Sequence, residues 1–258
     1  MATRTEALTP GMNRLIGKVA LISGAARGMG AAHARAIVAE GGKVVIADIL
    51  DEEGTALAQE LGADVAAFTH LDVTDPADWR RAVDLAEQQF GALHVLVNNA
   101  GIMNAGTLDE YSIEAWNQII AINLTGQFLG AKIASPSLIR SAPASIINVS
   151  STAGIKGFGA LHGYTASKFG VRGLSKSLAL ELARHDIRVN SVHPGAVATD
   201  MTADLDVAGL NPLHRLGTPA ELANLIVFLA SDESSFATGA EFVVDGGELA
   251  GSAGLDGK

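Results

Sequence analysis

The chain contains no cysteine, and this absence removes two classes of protein at once. Disulfide-stapled scaffolds and thiolate metal sites both need cysteine, so neither is open to this sequence. The chain also has no apolar run of about 18 residues or more, the length that a bilayer-spanning helix needs. Residues 1–18 lack the apolar core of a secretory signal. We therefore expect a cytoplasmic protein with no membrane partner.

Positive charge is scarce as well. The 18 Lys and Arg residues are outnumbered by 28 Asp and Glu residues, which gives a formal net charge of −10, and no basic run stands out. Nucleic acid is therefore a poor candidate partner. The seven His residues show no metal-ligand spacing, so we predict no metal site. The 48% of hydrophobic residues is ample for one large core.

Short apolar runs alternate with helical stretches along the chain. Seven runs are typical of buried strands: 18–23, 43–48, 64–71, 93–97, 145–150, 187–193 and 241–245. The predicted helices include 51–61, one that opens at 75–76, one from Ser112 to about 135, 164–184 and 219–230. This alternation is typical of an α/β fold, a parallel sheet with helices on both faces. We predict a single domain over residues 1–258, with a loose leader at 1–14 and a mobile substrate loop at 199–213.

A glycine-rich turn separates the first predicted strand from the first helix. Residues 23–30 read SGAARGMG. Glycines in such a turn let the backbone approach a pyrophosphate, which then sits on the N-terminus of the helix. The turn therefore predicts a dinucleotide site in a Rossmann-type fold. The contact residues expected here are Gly24, Arg27, Gly28, Met29 and Gly30.

Asp48, at the end of the second predicted strand, indicates which dinucleotide is bound. A carboxylate at this point accepts hydrogen bonds from the adenosine ribose and repels a 2′-phosphate, which favours NAD over NADP. Asp48 could instead cap the next helix, although Asp51 is better placed for that. Arg27 could meet a 2′-phosphate, but the carboxylate nearby favours a backbone or pyrophosphate contact. Further cofactor contacts are expected at Ile49, Asp72, Val73, Asn99, Ala100 and Gly101.

Tyr164 and Lys168 stand four residues apart, so on a helix they share one face. At roughly 4 Å and an effective dielectric constant near 20, an ammonium stabilises a phenolate by about 4 kcal/mol. This attraction would lower the pKa of Tyr164 by up to ~3 units before desolvation opposes it. Such a phenol is a general acid or base near neutral pH. The alternative is an incidental pair at a helix start.

The ordered motifs together resemble the short-chain dehydrogenase/reductase family, and the resemblance extends from Gly17 to about Gly247. It rests on the glycine-rich turn, Asp72, the NNAG run at 98–101, Asn123, Ser151, the Tyr164/Lys168 pair and Pro194-Gly195. One departure is Ser23, where the family more often has Thr. Within the family the chain is most similar to the bacterial hydroxysteroid dehydrogenases, through segments such as LASDESSFATGAEFVVDGG.

The resemblance implies a homotetramer, NAD as the cofactor, and a catalytic tetrad of Asn123, Ser151, Tyr164 and Lys168. In that tetrad Ser151 holds the substrate oxygen and Tyr164 transfers the proton. Lys168 holds the nicotinamide ribose, and Asn123 anchors a water that leads protons to Lys168. Further contacts to the nicotinamide end are implied at Pro194, Gly195, Val197 and Thr199.

The substrate pocket is expected beside Ser151 and Tyr164, where most neighbouring side chains are apolar. Its expected lining is Met103, Ala153, Phe158, Leu161, His162, Met201 and Leu205. Apolar lining favours a steroid or similar secondary alcohol or ketone. Three other functions stay open: a 3-oxoacyl-thioester reductase, a dehydrogenase of another small alcohol or sugar, and a nucleotide-sensing regulator without activity. The charge of −10 disfavours docking on an acidic carrier protein.

Overall fold

Seven parallel strands form one sheet in the computed structural model, which describes residues 12–203 and 211–251. The strands are β1 (Val19–Ser23), β2 (Lys43–Asp48), β3 (Ala66–His70), β4 (Val95–Asn98), β5 (Ala144–Val149), β6 (Ile187–Pro194) and β7 (Glu241–Val244). Their order in the sheet is β3-β2-β1-β4-β5-β6-β7. The predicted fold class and all seven strands are confirmed, with strand ends displaced by no more than two residues.

The strand order reverses beside β1, which pairs with β2 on one side and with β4 on the other. In open parallel sheets, ligands bind in the crevice outside the carboxyl ends of the strands at such a reversal. The glycine-rich turn follows β1 and the NNAG run follows β4 at this edge of the sheet. The topology therefore brings the predicted cofactor segments together.

Helices cover both faces of the sheet. The seven α-helices of the described chain are α1 (Gly28–Ala39), α2 (Asp51–Leu61), α3 (Pro76–Phe90), α4 (Ile113–Ile120), α5 (Gly126–Arg140), α6 (His162–Leu182) and α7 (Pro219–Ala230). Alternate residues of β1 face opposite sides: Ala20 and Ile22 join the core beneath α1 and α7, whereas Val19 and Leu21 join the core beneath α3 and α5. Because both faces of β1, β2 and β4 are buried, these central strands read as nearly continuous apolar runs.

The helix predicted from Ser112 to about 135 is longer and less uniform than expected. Ser112 caps α4 as predicted, because its Oγ accepts a hydrogen bond from Ala115 N at 3.1 Å. A π-helical turn at Ala121–Thr125 then joins α4 to α5, which continues to Arg140 with Pro136 inside it. Pro136 does not end the helix, because Ala134 and Leu138 on either side of it are buried in the core.

The expected leader and mobile loop lie only partly within the described residues. Residues 1–11 of the leader and 204–210 of the loop, including Leu205, fall outside them. Arg14, the last residue of the expected leader, forms an ion pair with Glu40, in which Nη2 lies 2.6 Å from Oε1. None of the helices in the described ranges has the length and apolar character needed to cross a membrane.

A pair of Gly→Ala substitutions tests the packing of α5. A Cβ at Gly130 would lie 2.5 Å from Asn98 Oδ1 and 2.7 Å from the Trp79 ring, and both neighbours are fully buried. We expect Gly130→Ala to lower the free energy of unfolding by about 1–3 kcal/mol, because the rigid core leaves no room for a methyl group. Urea denaturation measures the change.

Gly173→Ala in α6 is the matched control. Gly173 is exposed, and nothing in the described chain lies within 4 Å of a Cβ placed there. We expect this variant to be about 0.5–1 kcal/mol more stable, since Ala favours the helix. Equal effects of the two substitutions would contradict tight packing around Gly130.

Candidate active site

The glycine-rich turn is held in shape by the segment that follows β4. A Cβ at Gly30 would overlap Gly24 O, and one at Gly24 would lie 2.7 Å from Ala100 Cα. Asn99 Nδ2 donates hydrogen bonds to Ser23 O at 3.1 Å and to Gly24 O at 2.9 Å. The two segments therefore form one unit in which the close backbone approach requires glycine.

The start of α1 fits the pyrophosphate of a dinucleotide. Within the described residues no side chain caps this helix, and its first turn contains no acidic residue. Free backbone N–H groups and the positive end of the helix dipole are suited to bind an anion there. Arg27, at the N-cap, is exposed and pairs with Asp200 at 3.1 Å, and Met29 lines the cavity that opens beside the turn.

Asp48 lies at the carboxyl end of β2 against the glycine-rich turn. Its Oδ2 accepts a hydrogen bond from Ala26 N at 2.9 Å, and its Oδ1 accepts one from Leu50 N at 3.2 Å. The residue at the N-cap of α2 is Leu50, so Asp48 does not serve as the cap that the alternative interpretation assigned to it. Each carboxylate oxygen keeps a further lone pair that can accept a ribose hydroxyl.

Ile49 and Asp72 are exposed side chains at the carboxyl ends of neighbouring strands. Asp72 Oδ1 accepts hydrogen bonds from Thr74 N at 2.8 Å and from Thr74 Oγ1 at 2.7 Å, which fixes the turn after β3. Val73 is buried beneath Gly126 at the start of α5. The positions suit the adenine side of a dinucleotide, and their contact with a cofactor stays a prediction.

The structure brings Ser151 and Tyr164 to one cavity of 270 Å³. Ser151 follows β5, and its Oγ accepts a hydrogen bond from Ala153 N at 3.1 Å. Tyr164 lies in the first turn of α6, which begins at His162, two residues before the predicted start. Lys168 stands one turn later, 3% exposed, with Nζ donating to Val149 O at 3.0 Å.

Burial dominates the protonation of this pair. Desolvation raises the pKa of Tyr164, and the Ser151 side chain lowers it by a smaller amount. Desolvation lowers the pKa of Lys168 to about 8. The expected lowering of the Tyr164 pKa is therefore wrong for this structure. Lys168 Nζ is bound to Val149 O and lies over the Tyr164 ring, 5.5 Å from its centroid.

Asn123 occupies the π-helical turn between α4 and α5 and is completely buried. Its Nδ2 donates to Ile102 O at 2.9 Å, and its Oδ1 accepts from Ile102 N at 2.8 Å. A Cβ at Gly101 would lie 3.3 Å from Asn123 Oδ1 and 3.5 Å from Lys168 Nζ. These two hydrogen bonds hold the chain after β4 in place beside Lys168. The anchoring of a water by Asn123 stays a prediction.

Residues predicted to contact the substrate and residues predicted to contact the nicotinamide line the same cavity. The residues of both predicted sets that line it are Met29, Met103, Ala153, Phe158, Leu161, Pro194, Gly195, Val197, Thr199 and Met201. The lining also includes side chains that the sequence did not single out, among them Thr152, Thr202 and Glu248. Glu248 follows the last strand outside any motif, so no sequence signal marked it.

His193 is a second residue that the sequence did not single out. It is buried in β6, where Nδ1 lies 3.0 Å from Ser151 O and Nε2 lies 2.9 Å from Ser191 Oγ. Desolvation lowers its pKa, so the ring is neutral near neutral pH. Its hydrogen bond holds the backbone of Ser151 from behind. A histidine within a buried strand is the signal that could have found it.

Comparison with known proteins agrees with this geometry. The family model described as enoyl-(acyl carrier protein) reductase matches residues 24–248. The chain is 59% identical over 242 residues to the 3-alpha-(or 20-beta)-hydroxysteroid dehydrogenase of Mycobacterium bovis, covering 93% of this chain and 92% of that protein. It is 52% identical over 249 residues to the trans-4-hydroxycyclohexanecarboxylate dehydrogenase of Sinomonas cyclohexanicum, covering 93% and 96%.

A third relative is the 2,5-dichloro-2,5-cyclohexadiene-1,4-diol dehydrogenase of Sphingobium indicum. It is 44% identical over 244 residues, covering 91% of this chain and 97% of that protein. The family-model match spans the glycine-rich turn from Gly24, the Ser151–Lys168 stretch and the last strand. The chain therefore belongs to the short-chain dehydrogenase/reductase family, a family of oxidoreductases that use a nicotinamide cofactor.

Proposed function

We propose that the chain is an NAD-dependent oxidoreductase that interconverts a secondary alcohol and its ketone, with a steroid or a similarly apolar compound as substrate. The observation that carries this proposal is the cavity itself. It presents the hydroxyls of Ser151 and Tyr164 among apolar side chains, with Lys168 buried directly behind Tyr164.

The nicotinamide cofactor supplies the hydride, or accepts it, when it is bound. In ketone reduction, Ser151 Oγ donates a hydrogen bond to the carbonyl oxygen, and Tyr164 Oη donates the proton that this oxygen needs as it becomes a hydroxyl. The raised pKa of Tyr164 keeps the phenol protonated near neutral pH, which suits a proton donor. Alcohol oxidation requires the opposite transfer, and the ammonium of Lys168 then stabilises the phenolate.

The proposed cofactor site follows the carboxyl edge of the sheet from β3 to β6. The residues proposed to hold the dinucleotide are Gly24, Arg27, Gly28, Met29, Gly30, Asp48, Ile49, Asp72, Val73, Asn99, Ala100, Gly101, Tyr164, Lys168, Pro194, Gly195, Val197 and Thr199. The proposed proton path leads from Tyr164 to Lys168 and then to a water beside Asn123. The closeness of Asn123 and Lys168 to the same Gly101 position supports this path.

Asp48 supports NAD rather than NADP. Its carboxylate lies beside the turn that would bind the pyrophosphate, and two backbone N–H groups hold it there. A 2′-phosphate at this point would meet a buried negative charge. A 3-oxoacyl-thioester reductase, the alternative function, normally uses NADPH and an acidic carrier protein, so Asp48 and the net charge of −10 both disfavour it.

The named activities of the relatives support a cyclic alcohol as substrate. Two relatives are named for substituted six-membered rings and one for a steroid alcohol. The apolar side chains proposed to contact the substrate with Ser151 and Tyr164 are Met103, Phe158, Leu161 and Met201. A dehydrogenase of another small alcohol or a sugar stays the second candidate.

We further propose that the enzyme is a homotetramer. Large apolar side chains are exposed along α4, α5 and α6: Ile113, Trp116, Phe128, Ile139, Phe169 and Leu180. Apolar patches of this kind mark contact surfaces. Copies of this chain are the partners proposed for them.

Replacement of Tyr164 tests the mechanism. Tyr164→Phe removes the proposed proton donor, and we expect kcat for reduction of cyclohexanone with NADH to fall by about 10²–10⁴-fold. The Kd for NADH, from a fluorescence titration, should change by no more than a few fold, because the other proposed cofactor contacts remain. Tyr111→Phe is the matched control, since Tyr111 bonds Asn104 instead, and its kcat should stay within a few fold. Full turnover by Tyr164→Phe would contradict the mechanism.

Replacement of Asp48 tests the cofactor. We expect the wild-type protein to prefer NADH over NADPH by about tenfold or more in kcat/KM, and Asp48→Asn to reduce that preference by about tenfold, because the repelling charge is gone. Asp51→Asn, the same change three residues later on α2, should leave the preference as it is. A wild-type preference for NADPH would overturn the NAD assignment.

The pKa of Lys168 makes stability depend on pH. The folded pKa of about 8 lies below the usual 10.5, so the cost of burying the ammonium is fully present below pH 8 and disappears above pH 10.5. Below pH 8, Lys168→Met should therefore have a higher free energy of unfolding than the wild type. We expect this difference to shrink by about 3 kcal/mol between pH 8 and pH 10.5. Urea denaturation of the cofactor-free protein measures it, with exposed Lys132→Met as control. A pH-independent difference would show that Lys168 is not desolvated.

A further inference from the structure

Gln127 is a buried polar side chain beside the site that no sequence motif marks. It lies in the first turn of α5 and is 3% exposed. Its backbone is fixed to the sheet, because Asn98 Nδ2 donates hydrogen bonds to Gln127 O at 3.3 Å and to Asn148 Oδ1 at 2.9 Å. A buried amide is costly unless hydrogen bonds compensate its desolvation. The contacts of the Gln127 amide therefore indicate its role.

The amide of Gln127 meets Lys168 at one oxygen atom, the backbone carbonyl of Val149. Gln127 Nε2 donates to Val149 O at 3.1 Å, and Lys168 Nζ donates to it at 3.0 Å. Val149 is the last residue of β5 and stands one residue beyond Asn148, where the pairing of β5 with β4 ends. A carbonyl oxygen has two lone pairs, so it can accept both hydrogen bonds at once. Side chains from two helices thus share one acceptor.

This contact fixes the orientation of the Gln127 amide. A carbonyl oxygen accepts hydrogen bonds only, so the Nε2 end of the amide must face Val149 O. The other end, Oε1, is buried without a hydrogen-bond donor among the residues that the structure describes. Within those residues, the hydrogen bond to Val149 O is therefore the contact that holds this amide.

Sharing the oxygen weakens its hold on the ammonium of Lys168. Both donors draw on the electron density of the same carbonyl, and the positive end of the amide dipole faces the oxygen that the ammonium binds. The charged form of Lys168 is therefore stabilised less than it would be by Val149 O alone. Burial acts in the same direction, since desolvation lowers the pKa of Lys168 to about 8.

The titratable side chains that face Lys168 in the described part of the chain are Tyr164 on α6 and His193 on β6. Burial raises the pKa of Tyr164 and lowers that of His193, so both are uncharged at about pH 7–9. Asn123 in the π-helical turn and Gly101 after β4 carry no charge. No carboxylate of the described residues contributes to the lowered pKa of Lys168. Changes in its hydrogen bonding can therefore be read from its titration.

We propose that Gln127 is a positioning residue: its amide shares Val149 O with Lys168, so that the ammonium is loosely held and releases its proton readily. Gln127 is not among the described residues that line the cavity, and it acts through Val149 and Lys168. In the proposed proton path Lys168 passes a proton on, so the ease of release sets the pH at which the path operates. This inference rests on the proposed function and deepens it.

The first test measures the pKa of Lys168 in the cofactor-free protein. Lysine labelled with ¹³C at Cε is titrated by NMR, and the Lys168 signal is identified by its loss in Lys168→Met. Gln127→Met keeps the length of the side chain and removes the donor. We expect it to raise the pKa of Lys168 by about one unit, since the net effect of one hydrogen bond has that magnitude. Gln88→Met, exposed on α3, is the matched control and should leave this pKa where it is.

A second measurement requires no variant of Gln127. In the wild-type protein the ¹⁵N signal of the Gln127 side-chain amide should shift as Lys168 titrates, because both groups bind the same oxygen. This step should disappear in Lys168→Met. An amide signal that does not follow the titration of Lys168 would overturn the shared contact.

The third measurement connects the contact with the reaction. The acid limb of the pH profile of kcat/KM for cyclohexanol oxidation with NAD⁺ should move to higher pH in Gln127→Met, by the same shift as the pKa of Lys168. Gln88→Met should not move it.

The possible results separate this inference from the proposed function. An unchanged pKa of Lys168 in folded Gln127→Met, even with a loss of stability, shows a structural role only and overturns the inference. A raised pKa with an unmoved acid limb overturns the part of Gln127 in the reaction. Failure of the wild-type protein to oxidise cyclohexanol counts against the proposed function instead and leaves the two NMR results standing.

Discussion

The hydrogen bonds between the ends of β1 and β4 are the interaction on which the rest of the site depends. Ser23 Oγ accepts from Asn99 N at 3.1 Å and from Ala100 N at 3.2 Å, while the Asn99 side chain returns two hydrogen bonds to the chain after β1. Ser23 stands where the family more often has threonine, and its hydroxyl makes these two hydrogen bonds. These bonds press the glycine-rich turn against the NNAG run at the reversal point of the sheet.

The burial of Lys168 lowers the stability of the fold and, at the same time, serves the proposed chemistry. Its side chain is desolvated and donates to Val149 O within the part of the chain that the structure describes, so the ammonium is held at a cost. The same burial puts a group with a pKa of about 8 directly behind Tyr164, whose own pKa is raised. Proteins retain such perturbed groups mainly where chemistry uses them. The desolvation of Lys168 therefore supports the proposal that it belongs to the proton path.

The cavity is polar at separate points of its wall and apolar between them. The hydroxyls of Ser151 and Tyr164 form one polar group, and Glu248 is the one charged residue of the described lining. An apolar pocket with a few fixed polar groups gains affinity from its walls and specificity from those groups. His193 and Asn123 do not enter the cavity, yet they fix the backbone segments that carry Ser151 and flank Lys168.

Much of the fold and part of the site could be predicted from local patterns in the sequence. The strands β1, β2 and β4 are nearly continuous apolar runs of ordinary length, and the others are short runs rich in apolar residues. The glycine-rich turn and the Tyr164/Lys168 pair are likewise readable, because their members lie within eight residues of one another. The π-helical turn at Asn123 was not predicted, since its residues have the same apolar spacing as the helices on either side.

Sequence by itself determined which segments become strands, where the dinucleotide turn lies and which phenol has an ammonium one helical turn away. Each depends on neighbours along the chain, through a period of 2 or 3.6 residues. Only the tertiary structure decided that burial raises the pKa of Tyr164, that His193 supports Ser151 and that Glu248 reaches the cavity. The reason is physical: desolvation and contact between distant segments depend on how the helices and strands pack around the sheet.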